Sequence, residues 1–178
     1  WMHVEFLNLD QEKMSKSLGN IFTIPDVIER GYRASALRFL LLSVHYRKQL
    51  KFNWASLDQT EAALKRLTDF LARLDAVTGP SAHPAAVERV AAARQEFAGM
   101  LADDLNAAGG IGVMFELVRA LNAAIDAGEV GAPDVAAIRE AFDGFDRILG
   151  VIALRRAEEA PPPIPVERIA RLIEERRL

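Results

Sequence analysis

Ser56-Leu57-Asp58-Gln59-Thr60-Glu61-Ala62-Ala63-Leu64-Lys65-Arg66-Leu67-Thr68-Asp69-Phe70-Leu71-Ala72-Arg73-Leu74 is the stretch that decides the class of fold. Leu57, Leu64, Leu67, Leu71 and Leu74 recur at helical spacing, while Lys65, Arg66 and Arg73 stay off that stripe. This is the pattern of a helix that presses one face on a core. Ser56 with Gln59 reads as a capping box for its start, and Gly79-Pro80 as its stop.

The same periodicity repeats downstream. Val87, Val90, Phe97 and Leu101 mark a second amphipathic helix; Ile111, Met114, Val118, Leu121 and Ile125 a third; Val135, Ile138, Phe142, Phe145 and Leu149 a fourth. Asn106 is placed to cap the third and Gly128 to end it. Connections this short favour antiparallel neighbours, so residues 56–153 are predicted to form an antiparallel helical bundle. Beyond it, Ala160-Pro161-Pro162-Pro163-Ile164-Pro165 reads as an extended, semi-rigid linker, because each proline disfavours helix in the residue before it. A charged helix, Val166 to Arg177, closes the chain.

Upstream of the bundle the pattern is mixed. Val4 to Leu9 alternates like a strand, and Asp10-Gln11-Glu12 reads as the turn after it. Thr23, followed by Pro25 and Asp26, signals a short helix to Arg30 that stops at Gly31. Ala34 to Ser43 is apolar on most sides and reads as a buried helix, with Leu50 to Phe52 as a short strand. The fold class is therefore mainly α: a helical bundle preceded by a small α/β segment.

Bulk properties narrow the chemistry. A chain of 178 residues with 51% hydrophobic content can bury a real core. Its formal net charge of -3 gives no global attraction to nucleic acid, so any RNA binding must use a local basic face. With no cysteine there is neither a disulfide framework nor a thiolate metal site. The apolar run Leu37 to Val44 contains Arg38 and falls far short of the roughly 20 residues a bilayer requires. No signal-peptide layout is seen, and a cytoplasmic protein without a membrane segment is expected. Trp1 opens directly into the strand pattern, as in a sequence cut from something longer.

Lys13-Met14-Ser15-Lys16-Ser17-Leu18-Gly19-Asn20 carries the chemistry. Two lysines three apart, two hydroxyls and a glycine on one loop make a clamp for a polyanion, with phosphate as the natural ligand. Composition alone would leave this an ordinary polar loop; the order of the residues does not. Lys-Met-Ser-Lys-Ser after a strand resembles the signature loop of class I aminoacyl-tRNA synthetases. Phe22-Thr23-Ile24-Pro25-Asp26-Val27, Leu37 to Ser43, His45-Tyr46-Arg47, Asp103-Asp104-Leu105-Asn106 and Val113 to Arg119 resemble the cysteine-specific enzymes in sequence and spacing.

That resemblance implies a loop that closes over ATP while cysteine is activated to its adenylate. Lys16 would lie on the phosphates with Lys13 assisting, Ser15 and Ser17 would donate hydrogen bonds, and Met14 would anchor the closed loop. Lys13 and Lys16 are thus the expected catalytic residues, and Lys13 to Ser17 the expected ATP-binding set. The partners implied are ATP with magnesium and tRNA(Cys), for a monomer. The family's zinc, which recognises cysteine, has no ligands in this chain, and the His-x-Gly-His element is missing too. Both are expected in an N-terminal catalytic half outside these residues.

The resemblance also implies a division into 1–55, the end of the catalytic domain with a stem-contact segment and the loop; 56–153, a tRNA-stem bundle; 154–165, the linker; and 166–178, the start of an anticodon-reading domain. One departure stands out. The family's helical signature begins with an acid before alanine, whereas here Arg33 precedes Ala34, so that helix must find its cap elsewhere. Asp103 and Asp104 are no acid/base pair, and Gly109-Gly110-Ile111-Gly112 suits close helix packing better than a phosphate loop. Two other readings compete: a cysteine ligase of mycothiol synthesis, and a free-standing helical RNA-binding or scaffold protein.

Overall fold

Asn53, not Ser56, starts the long helix. Its Oδ1 accepts from both the backbone N–H and the Oγ of Ser56, at 2.8 Å each. Asparagine caps as well as serine does, and Asn53 follows directly on the strand β3 (Leu50–Phe52), where the backbone is already extended. The helix α3 therefore runs Trp54–Asp75 and ends short of Gly79-Pro80. The reason lies in the next stretch: the Gly79 carbonyl accepts from Ala132 N–H at 2.7 Å, and His83 N–H donates to the Asp134 carboxylate at 3.0 Å. The chain must leave the helix early to make these contacts.

This architecture comes from a computed structural model of the chain, which describes every residue except 2, 6, 10, 11, 14–21, 162–165 and 176–178. The predicted stripe of α3 is buried in full, with Phe70 added to it. In α4 (Pro84–Ala102) the buried face is Ala86, Val90, Ala93 and Phe97; Val87, predicted inside, is 38% exposed, and Leu101 is half-buried. Small alanines hold the core positions here because α5 (Ala107–Asp126) and α6 (Ala132–Leu149) both press on this helix. Helices this long, packed together through connections of residues 103–106 and 127–131, must reverse direction at each.

Asn106 caps α5 as predicted, its Oδ1 accepting from Gly109 N–H at 2.8 Å. A Cβ at Gly109 would stand 2.7 Å from both Asn106 Nδ2 and Met100 Sδ, so the glycine serves close packing at the helix start. By length and composition α5 could cross a membrane, but Ile111, Met114, Leu117, Val118 and Leu121 are buried in the bundle, as in a core helix. Phe70, Phe142, Phe145 and Phe97 form a chain of aromatic contacts across α3, α6 and α4, with centroids 4.5–5.7 Å apart. Each such side chain stabilises by about 1.5–3 kcal/mol through burial.

Residues 154–159, expected as the first half of a linker over 154–165, instead belong to a helix, α7 (Ile152–Glu159). Its first three free N–H groups, on Val151, Ile152 and Ala153, donate to the Asp146 carboxylate of α6 at 2.7–2.8 Å. At its other end Glu158 accepts from the backbone N–H (3.0 Å) and Oγ (2.6 Å) of the buried Ser35 in α2 (Ala34–Leu42). This is the missing cap: Arg33 makes no side-chain cap bond, and a carboxylate from another helix takes the place of the local acid. Arg38 of α2 then donates to the Leu149 carbonyl at the C-terminus of α6 (2.6 Å). Each of α6, α7 and α2 thus finishes an end of the next.

The N-terminal segment forms a small sheet of order β2-β1-β3, in which β1 (Leu7–Leu9) pairs parallel with β3 and antiparallel with β2 (Glu12–Lys13). The predicted strand from Val4 is shorter than expected, since Val4 is 70% exposed, and Glu12 is a strand residue rather than part of a turn. Helix α1 (Ile24–Glu29) opens on Thr23 as predicted. The apolar core is continuous from Val27, Phe39, Leu40 and Phe52 into the bundle. A last helix, α8, spans Val166–Glu175; most of the expected proline linker lies outside the described residues.

Candidate functional site

The segment Lys13 to Asn20 is flanked in the chain by two described elements. At its near end Lys13 pairs with Asn8, which sets the backbone of the first loop lysine into the edge strand β2 rather than the loop. Its side chain, and Met14, Ser15, Lys16 and Ser17 on to Ile21, lie outside the described residues.

At the far end Phe22 packs edge-on against Trp54 (5.0 Å) and tilted against Phe52 (6.3 Å). Tyr32 stacks on Trp54 at 5.7 Å, and the Arg30 guanidinium lies over the Trp54 ring, 4.0 Å from its centre. The Tyr32 hydroxyl donates to Asp58, which pushes its pKa up. Asp26 closes a capping box: Thr23 N–H and Oγ donate to it, at 2.6 and 2.7 Å, and these bonds hold its carboxyl below the usual range. That carboxylate already occupies the start of α1, so the helix end is not a free anion site.

A second cluster joins two motifs that are 57 residues apart in the chain. The Asp104 carboxylate accepts from the Tyr46 hydroxyl (2.5 Å) and from Arg47 Nε (2.5 Å) and Nη2 (3.2 Å). His45 stacks on Tyr46 at 4.8 Å. Its Nδ1 accepts from Arg47 N–H at 3.2 Å and its Nε2 lies 3.1 Å from the Asp104 carbonyl, so the ring bridges the two segments. The bonds from Arg47, then from Tyr46, lower the Asp104 carboxyl to about 2, and Tyr46 is raised in turn.

Asp104 and Leu105 sit at φ +53° and +55°, the left-handed region. Such a conformation costs roughly 1–2 kcal/mol per residue and is kept only where surroundings fix it. Both motifs stand out in the sequence, where Asp103 and Asp104 read as no acid/base pair, but the pattern does not show Asp104 reaching the other motif. An aspartate in a four-residue interhelical connection was the available signal.

The cationic residues off the α3 stripe meet a partner too. Arg66 and Arg73, with Arg119, Phe115 and Asn122 of α5, line an open groove between the two helices. Arg66 lies over the Phe115 ring (5.8 Å), Arg73 donates to Asn122 (3.0 Å), and Arg73 and Arg119 also pair with Asp126 and Glu116. Among the described residues no three metal-ligating side chains converge.

Comparison with known proteins finds two family matches along the chain. Residues 1–62 match the family described as tRNA synthetases class I (C) catalytic domain, and residues 96–153 match the DALR domain. Cysteine–tRNA ligase of Solibacter usitatus is 43% identical over 155 residues, covering 85% of this chain and 33% of that protein. Cysteine–tRNA ligase of Geobacter sulfurreducens is 38% identical over 191 residues, covering 99% of this chain and 40% of that protein. The chain thus spans well under half the length of these relatives.

A chain of the LeuRS–tRNA–LeuAMS ternary complex of Agrobacterium radiobacter superposes with a TM-score of 0.60 at 21% identity, over 84% of this chain and 20% of that one, a likeness of fold alone. Neither mycothiol-pathway ligases nor free-standing helical proteins account for these matches. With a catalytic-domain match over the loop frame, a DALR match over the bundle, and curated relatives aligned across nearly the whole chain, this protein belongs to the cysteinyl-tRNA synthetase family.

Proposed function

We propose that this chain supplies the phosphate loop and a tRNA-facing helical region of a cysteine–tRNA ligase, an enzyme that activates cysteine with ATP and transfers it to tRNA(Cys). The observation that carries the reading is the order Lys13 to Asn20, set between an edge strand and a capped helix inside the catalytic-domain match. Lys16, assisted by Lys13, is assigned to the ATP phosphates, where charge develops on the leaving pyrophosphate. Ser15 and Ser17 are assigned as donors and Met14 as the apolar anchor.

Residues 1–55 then frame the loop, and residues 56–153 face tRNA, with Arg66 over the Phe115 ring in the groove between α3 and α5 as the candidate contact. Residues 166–178 would begin an anticodon-reading domain. The adenine- and cysteine-binding half lies outside these residues, and magnesium arrives with ATP. Zinc does not fit the residues present, since the chain has no cysteine and no converging ligand set among its described residues. The enzyme would act as a cytoplasmic monomer.

The test is a chimera in which this chain replaces the matching segment of the Geobacter sulfurreducens ligase. It should charge tRNA(Cys) with cysteine, and Lys16→Ala should slow single-turnover adenylate formation at saturating ATP by about 10²-fold. A well-folded chimera that cannot charge tRNA would overturn the reading. An unchanged rate with only weaker ATP binding would reduce Lys16 to a ground-state contact.

A further inference from the structure

The segment between α2 and β3, residues 43–49, is polar and shallowly placed; Arg47, Lys48 and Gln49 are exposed. Apolar burial therefore does little to fix it, and polar contacts must. Toward the bundle it meets Asp104, which takes the Tyr46 hydroxyl and two nitrogens of Arg47 while its carbonyl meets His45. Toward the sheet it holds the N-terminal strand: the Tyr46 carbonyl accepts from Glu5 N–H (2.9 Å), Gln49 Oε1 accepts from the Asn8 amide (3.1 Å), and Leu7 to Leu9 pair with Leu50 to Phe52. The same strand holds β2 through Asn8 and Lys13. Hydrogen bonds joined by short stretches of backbone thus link the α4–α5 turn to Lys13. The anchor is a carboxylate on a turn held in the left-handed region.

We propose that Asp104 is a positioning residue for the phosphate loop, setting through Tyr46 and Arg47 the strand from which the loop departs. It touches no substrate; it links the bundle to the loop frame. Its catalytic consequence rests on the loop reading above, but the mechanical link does not. Bidentate charge-assisted bonds suit this role, because they fix orientation as well as distance.

Amide hydrogen exchange on the 178-residue chain tests the link, comparing wild type with Asp104→Ala, Asp104→Asn and, as an unrelated surface pair, Glu140→Gln. Asp104→Ala should raise exchange at Glu5, Leu7 to Leu9 and Lys13 by about tenfold while α5 keeps its protection. Asp104→Asn, which keeps an acceptor and tolerates the left-handed turn, should recover part of that protection, and Glu140→Gln should change none of it. Exchange at these residues that stays at wild type, or rises only in step with α5, overturns the proposal.

In the chimera, Asp104→Ala should slow adenylate formation at saturating ATP. If it weakened tRNA binding alone, the positioning role would be wrong. A chimera in which Lys16→Ala has no effect would sink the loop reading while leaving the exchange result standing.

Discussion

Asp104 shows how much one carboxylate can organise when two hydroxyl or guanidinium donors meet it. Arg47 and Tyr46 hold its pKa at about 2, so its bonds stabilise the fold fully above the ordinary value of 3.8 and are lost as pH falls through about 2. The groups that face it are Arg47, Tyr46 and His45. A carboxyl-carbon NMR titration should therefore place its midpoint near 2, and Arg47→Ala should move that midpoint up toward 3.8; an unmoved midpoint would mean that Arg47 is not the main cause. A second residue-scale prediction concerns Gly131. An added Cβ would stand 1.9 Å from the Ser81 carbonyl oxygen, a backbone atom that cannot swing away. Gly131→Ala should cost about 1–3 kcal/mol in urea denaturation, in the range of overpacked cores, whereas Gly112→Ala, with open space around it, should cost nothing comparable.

Three helix ends here are finished by other helices rather than by their own flanks. Asp146 closes the start of α7, Glu158 of α7 closes the start of α2, and Arg38 of α2 closes the end of α6. Around the same seam Arg155, with only 5% of its side chain exposed, pairs with Glu61 at 2.6 Å and Glu159 at 2.8 Å, and Arg33 lies beside both carboxylates. Loss of a cap costs about 0.5–2 kcal/mol. Glu158→Ala should fall in that range, because it leaves the Ser35 hydroxyl buried without its partner, and should speed exchange in α2 and α7 together. If exchange rose in α7 alone, Glu158 would not be the cap of α2. Glu158→Gln, which keeps an acceptor, should lose less.

At the scale of the molecule, the bundle and the loop frame share one apolar core. Phe39 of α2 meets Phe115 of α5 edge-on at 6.0 Å, and Val27, Leu40 and Phe52 extend the same cluster. A fragment of residues 56–153 retains the aromatic chain of α3, α4 and α6, so it should melt cooperatively by circular dichroism, yet at a lower temperature than the whole chain, since α2 and most of α7 are removed. Absence of a cooperative melt would mean that the bundle cannot stand without that seam. The whole chain is also expected to show no cysteine-dependent ATP–pyrophosphate exchange, because the His-x-Gly-His element and the cysteine-binding groups are absent from its sequence. Exchange above a Lys16→Ala control would contradict this.

Periodicity by itself determined that the chain is mainly α, because burial of one helical face leaves a mark every three or four residues; the stripes of α3, α5 and α6 were legible for that reason. The order of Lys13 to Asn20 pointed to class I synthetases and the flanking motifs to the cysteine-specific ones, although those loop side chains stand outside what the structure describes. Tertiary structure decided the rest. It put alanines rather than Val87 on the core face of α4, where two helices crowd in. It made residues 152–159 a helix, because Asp146 satisfies N–H groups that the local sequence cannot. It supplied a cap to α2 from a residue 123 positions away and brought Asp104 to Tyr46 and Arg47. Hydrogen bonds between side chains distant in sequence leave no period to read, since what selects them is the distance that folding closes.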